Sequence, residues 1–565
     1  MAHRWAISPC AGQPARHGSQ TPHWRAAWAV PALLLLALLG GCGGAGGGGD
    51  GGGSDHTLGG TLSGLKGSVT LQVNAANDLT LTSDGSFSFS TSIAAGTAYS
   101  VTIASEPLVQ SCAVGNGSGT ISGDVTTVSV ACHDKHFFSA DDGTNGVEPW
   151  MTDGTPEGTV MLKDINTSGH SVELTTTYVV MPGGIVHFAA DDGSNLELWK
   201  SDGTESGTTK VTEINSGGSS SPSELTAVGN TLFFSATGGS ATAVELWKSD
   251  GTAAGTVMVK DIYTGSNASS PTLLTAVGST LFFRAQEGIN GIELWKSDGT
   301  ESGTTIVKDI NQTPTSTASS SPAALTAIGN VLYFRANDGS TGIEPWISDG
   351  TSSGTVTLSN ISSTGNSSPQ YFAAAGSVVV FQADDGGSFR QELWKSDGTS
   401  GGTALLKDIN PNSAFGAPTF MTTVGSIVFF SATDPDLATE LWKTDGTAAG
   451  TSLVKDINPA GGASNPNNLT AVGDMLFFSA TDSSGDTELW MSDGSEAGTV
   501  RVKDIDAAQS GISVGPQFAP IGSDKLFFFA SEGTNGIEPW VSDGTEAGTI
   551  LLKDINSGGD SQPAS

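Results

Sequence analysis

Apolar residues in this chain recur in runs that break the alternation of a half-exposed strand. Leu281-Phe282-Phe283 and Leu476-Phe477-Phe478 are apolar at every position, so each predicts a strand buried on both faces. Three more candidate strands accompany each run. In one unit the four cover 225–228, 232–236, 244–249 and 257–262, with a tight Gly-Asn turn between the first two. A longer link rich in Gly, Ser and Pro, such as 263–271, leads to the next unit. Four antiparallel strands with one long return connection predict a propeller blade, and blades stacked face to face bury both sides of each sheet. An open β-solenoid is the runner-up. It needs distinct capping repeats, whereas the first and last units nearly coincide: Gly143-Thr144-Asn145-Gly146-Val147-Glu148-Pro149-Trp150 against Gly533-Thr534-Asn535-Gly536-Ile537-Glu538-Pro539-Trp540.

The period is set by nine tryptophans, Trp150, Trp199, Trp247, Trp295, Trp346, Trp394, Trp442, Trp490 and Trp540, spaced 48 to 51 residues apart. The expected fold is therefore all-β, a β-propeller of eight to nine four-stranded blades over 134–565. The strand inventory is uneven. Nine Phe-Phe-like strands and nine Trp strands meet only eight of the Leu-Thr-Ala-Val-Gly type, because the first unit enters directly at His136-Phe137-Phe138. Residues 555–565 resemble the linker 214–224 and stop where the missing strand would begin, so the expectation is truncation at the C-terminus, or else a first blade of three strands.

Upstream, 57–133 shows short alternating segments at 68–73, 79–82, 86–90, 99–104 and 126–131, which predict a small β-sandwich. Gly64-Leu65-Lys66-Gly67-Ser68-Val69, with Asp84-Gly85-Ser86-Phe87 and a pair of cysteines, resembles sandwich modules near the N-termini of bacterial surface lipoproteins. That resemblance implies a spacer. Residues 42–56 are a Gly-rich tether. Within 1–41 a short apolar stretch follows a basic segment and ends in Leu39-Gly40-Gly41-Cys42, which resembles the lipobox of lipoprotein signal peptides. An ordinary signal peptide is the alternative. The resemblance implies a lipid on Cys42, a membrane partnership through it, and, with Gly43 next, delivery to the outer membrane on its periplasmic or extracellular face. Cys10 leaves with the leader, so Cys112 and Cys132 are the pair expected to form one disulfide in an oxidising compartment.

The formal net charge of −34 repels phosphate backbones and anionic headgroups, so nucleic acid is not an expected partner; divalent cations and neutral ligands are easier ones.

The recurring phrase Glu245-Leu246-Trp247-Lys248-Ser249-Asp250-Gly251-Thr252, matched eight more times, resembles the ELWxxDGT repeat family of bacterial surface proteins. The resemblance implies an extracellular propeller-like array and carries no established activity. Departures are Pro149, Pro345 and Pro539 in the Leu position, and Ser495 for Thr. Glu and Trp share a strand face; the expected roles are Trp in the inter-blade core and Asp accepting backbone N–H bonds in the turn. Lys200, Lys248, Lys296, Lys395 and Lys443 are expected to pair with Asp of the following Lys-Asp-Ile strand. The loops Asp141-Asp142-Gly143-Thr144-Asn145 and Asp191-Asp192-Gly193-Ser194-Asn195 admit two readings, a solvated turn or a calcium site ligated by Asp141, Asp142, Asn145, Asp191, Asp192 and Asn195.

Catalytic chemistry is thinly supplied. The repeat region has no cysteine, three histidines (His136, His170, His187) and four scattered arginines, Arg284, Arg335, Arg390 and Arg501. No carboxylate pair stands out from the repeat. The expectation is a lipid-anchored, non-catalytic binding or scaffolding module with a glycan or protein ligand; the enzyme alternative is a carboxylate-dependent glycoside hydrolase, for which two acids suffice.

Overall fold

The computed structural model describes residues 54–561 apart from 240–241, 314–317, 388–389, 412–414, 437, 460 and 507–516. Cys42, the leader and most of the tether lie outside the described residues. Among the described residues every regular element is a strand, and no helix is long and apolar enough to cross a membrane.

Two four-stranded sheets form the small N-terminal sandwich, around a core that includes Leu58, Leu71, Phe87, Val101 and Val130. The alternating segments are there, but three strands are added to the two sheets: Leu58–Ser63, which pairs parallel with Val125–Asp134, Gln110–Gly115 and Ser118–Thr120. Cys112 and Cys132 face each other in register across the Gln110–Gly115 and Val125–Asp134 strands and are joined by a disulfide. The sandwich abuts the repeats directly: Lys135 N donates to Val109 O at 2.7 Å, and Val109 belongs to the core beneath the first repeat sheets.

The repeats build nine consecutive sheets, here blades 1 to 9, at 136–161, 179–210, 223–260, 272–308, 323–357, 370–407, 419–455, 467–503 and 519–551. Blade 1 has three strands and the other eight have four, each in simple sequence order. The strand missing from blade 1 is the first, as the strand inventory anticipates. In the other blades the first strands stand beside one another. Cores alternate with sheets: Phe233 and Leu246 of blade 3, for example, pack on Leu281, Phe283 and Trp295 of blade 4. That sandwiching is why the Phe-Phe strands are apolar on both faces.

The series closes on itself, which excludes the open solenoid. Phe138, Ala140 and Trp150 of blade 1 share one core with Phe527, Phe529 and Val541 of blade 9. Lysines of the outermost strands repeat the closure. Lys260 Nζ donates to Thr304 O at 2.8 Å, Lys308 to Thr355 O at 2.8 Å and Lys503 to Thr549 O at 2.8 Å, each reaching into the next blade; Lys553 of blade 9 reaches Thr159 O of blade 1 at 3.0 Å. The lysine that follows Trp makes a similar staple. Lys200, Lys248, Lys296 and Lys443 donate to the carbonyls of Gly251, Gly299, Gly350 and Gly494 in the next Asp-Gly turn. The expected Lys–Asp pairing is thus corrected: a fixed backbone carbonyl within reach holds the ammonium instead.

Candidate functional site

The motif residues are structural. In every blade the first Asp of Asp-Gly-Thr accepts the N–H two residues on, as Asp250 Oδ1 does from Thr252 N at 2.9 Å, and the hydroxyl of that Thr caps the turn through Gly255 N at 3.0 Å. Trp150, Trp295 and Trp540 are buried between blades, with Lys553, Lys260 and Lys503 respectively over their rings. The motif Glu is more deeply buried still, and its role was not legible from its spacing. Glu245 Oε2 accepts Ile262 N at 2.9 Å and Ser269 Oγ at 2.6 Å, while Oε1 accepts Ser269 N at 2.9 Å. One carboxylate therefore pins both ends of the link to the next blade. Burial pushes these carboxyls up, to about 7 at Glu148, Glu293, Glu392 and Glu538.

The calcium candidates of blades 1 and 2 are occupied by their own turns. Asp141 Oδ1 accepts Gly143 N at 2.7 Å; Asp142 Oδ1 accepts Thr144 N and Asn145 N at 2.9 and 2.7 Å, and its Oδ2 accepts Asn145 Nδ2 at 2.8 Å. Asp191 Oδ1 accepts Gly193 N at 2.8 Å. Asp192 caps Ser194 N and also lies 2.8 Å from Lys210 Nζ, while Asn195 Nδ2 donates to Glu213 Oε1 at 2.9 Å. His187 is a core residue, as its strand position suggests; desolvation holds it down at about 4.

A cleft of about 340 Å³ opens between blades 2 and 3, where the first strand of blade 2 shrinks to Val179–Val180. Its wall carries Glu173, Asp191, Glu224 and His170. Val147 N donates to His170 Nδ1 at 2.7 Å, which leaves Nε2 as the ring's other polar atom. Glu224 sits at a bulge with φ of 59°, a left-handed conformation repeated at Leu273, Ala324, Tyr371, Phe420 and Asn468 in blades 4 to 8. Its Oε2 accepts Leu273 N of blade 4 at 2.9 Å. The carboxylate of Glu173 has no hydrogen-bond partner among the described residues.

Blade 8 holds a second departure, and it corrects the expectation that no carboxylates break the pattern. Asp486, Glu488 and Asp504 bring one carboxylate oxygen each within 4.8 Å of one another. Arg501 lies 3.5 Å from Asp482, 3.8 Å from Asp486 and 3.3 Å from Asp504. Burial raises the Asp486 carboxyl, with Asp504 and Asp482 adding repulsion. A signal was present: two residues before the motif Glu, the units read Gly146, Asn195, Ala243, Gly291, Gly342, Arg390, Ala438, Asp486 and Gly536, so one unit alone has an acid there.

No family model and no curated protein matches the chain. Among solved structures it is similar to puromycin hydrolase in a mutant form complexed with PGG, at 13% identity and TM-score 0.34, covering 63% of this chain and 56% of that one. A second puromycin hydrolase structure matches at 12% and 0.31, covering 61% and 57%. A structure from a study of two prolyl endopeptidases matches at 13% and 0.35, covering 65% and 54%. The chain thus spans little more than half the length of these proteins. They are hydrolases, and the expectation of a non-catalytic binding or scaffolding module is corrected on that finding; at such identities and TM-scores the likeness assigns no activity to this chain.

Proposed function

We propose that this chain is a carboxylate-dependent glycoside hydrolase of the bacterial cell surface, built on an ELWxxDGT-type array and held at the outer membrane by a lipid on Cys42. The observation that carries the reading is the cleft between blades 2 and 3, lined by Glu173, Asp191 and Glu224. It is concave, and it lies where the repeat geometry is interrupted, whereas the motif carboxylates are sealed inside the blades. Glu224, held by Leu273 N, and Glu173 are the two carboxylates assigned to the reaction. A neutral glycan suits a surface of this charge better than a polyanion.

The test is release of reducing ends from a panel of polysaccharides by the purified chain. Glu224→Gln and Glu173→Gln are expected to cut kcat by about 100-fold or more at an unchanged melting temperature. No released reducing ends across the panel, or full activity in both variants, contradicts the reading.

A further inference from the structure

The carboxylates of blade 8 converge on one another beside Arg501. Glu488 has no measurable exposure; its Oε1 accepts Ile505 N at 3.1 Å, but its Oε2 has no hydrogen-bond partner among the described residues. Asp486 Oδ1 is buried and likewise unpartnered. In blades 1 to 5 and 7 a serine hydroxyl, from Ser171, Ser220, Ser269, Ser320, Ser367 or Ser464, donates to the motif carboxylate; Glu148 of blade 1 also keeps one bare oxygen, Oε1, so what sets blade 8 apart is that the bare oxygen belongs to a cluster with Asp486 and Asp504. A buried anionic oxygen without a donor is costly if it stays charged.

We propose that Asp486, Glu488 and Asp504 form a binding site for one hard divalent cation of the calcium type. The spacing fits. Oxygens bound to calcium at about 2.3–2.6 Å lie up to roughly 5 Å apart across the ion, and the three donors fall within 4.8 Å of one another. The donor set is all carboxylate, which selects a hard cation over zinc or copper. Asp504 is 41% exposed in its side chain and provides the approach from solvent, where water completes the coordination. Arg501 does not discharge the cluster. Its guanidinium already faces Asp482, Asp486 and Asp504 at 3.3 to 3.8 Å, Glu488 adds a fourth carboxylate, and Asp506 lies just beyond, its N–H directed at Glu488 Oε1 at 3.4 Å. The site stands apart from the cleft of blades 2 and 3 and holds whether or not the chain is a hydrolase.

The experiment titrates calcium into the chelator-stripped full chain, following heat of binding and melting temperature, in wild type, Asp486→Asn and Asp142→Asn. Asp486→Asn is expected to fold, because Asn195 occupies the same place in blade 2. The proposal expects one calcium per chain, a melting temperature raised on saturation, affinity at least tenfold weaker in Asp486→Asn, and wild-type affinity in Asp142→Asn. Absence of calcium binding at millimolar concentration, or binding that Asp486→Asn leaves intact, overturns it.

Discussion

In blade 2 the ammonium of Lys210 lies 2.8 Å from Asp192 and 3.0 Å from Glu213, and Asn195 donates its amide to the same Glu213. In blade 8 the equivalent places hold Arg501, Asp482, Asp504 and Asp486. Both cations stand opposite the blade's tryptophan, Lys210 across from Trp199 and Arg501 across from Trp490. The strands pair alike, while Lys210, Glu213 and Asn195 give way to Arg501, Asp504 and Asp486 and the loop gains one residue; the change that matters most is Asn195 against Asp486. An amide in blade 2 supplies a donor where blade 8 has a third acid. Behind them, Glu197 is satisfied on both oxygens, by Ile214 N at 3.1 Å and Ser220 Oγ at 2.6 Å on Oε2 and by Ser220 N at 3.2 Å on Oε1, while Glu488 keeps one oxygen bare. A repeat thus keeps its fold through invariant buried bonds and gains chemistry at the few positions those bonds leave free.

The largest expected effect comes from removing the shared element. Glu197→Ala strips the partners from the link between blades 2 and 3 and is expected to cost about 3–5 kcal/mol, read as a lower urea midpoint. Next is pH. The carboxyls of Glu148, Glu293, Glu392 and Glu538 are raised from 4.5 to about 7 in the fold, so the folded state holds protons that the unfolded chain releases. Their stabilising contribution is complete below about pH 4.5 and is lost as pH rises towards 7. Melting temperature is therefore expected to fall between pH 5 and pH 8 and to level off above; a rise across that window contradicts the assignment. The smallest effect sharpens the comparison itself. Asn195→Asp makes blade 2 resemble blade 8 and sets an acid against Glu213, a partly exposed repulsion worth about 1 kcal/mol or less in calcium-free buffer.

The repeat was legible because nine tryptophans and doubly apolar strands can hardly be arranged any other way once each sheet is sandwiched. The disulfide followed from arithmetic, since only Cys112 and Cys132 were left for the folded region. Less visible were contacts that cross blades. Lys553 meets Thr159 only because the ring closes, and no local spacing encodes that. The left-handed bulge that turns Glu224 towards the cleft hides among Leu273, Ala324, Tyr371, Phe420 and Asn468, residues with no common chemistry. Asp142 and Asp486 look alike in sequence, yet the first is used up by Thr144 N and Asn145 N, whereas the second faces Glu488 and Asp504. What separates a capped turn from an open acidic cluster is the direction of nearby N–H groups.

The contrast between the two blades is tested most directly by melting Glu197→Gln and Glu488→Gln side by side in chelator. In blade 2 the new amide meets donors on both sides and forfeits a bond, so Glu197→Gln is expected to lose about 2 kcal/mol. In blade 8 the amide falls where Glu488 Oε2 has no donor and two acids wait, so Glu488→Gln is expected to match or exceed wild-type stability. Equal losses in the two variants contradict the account.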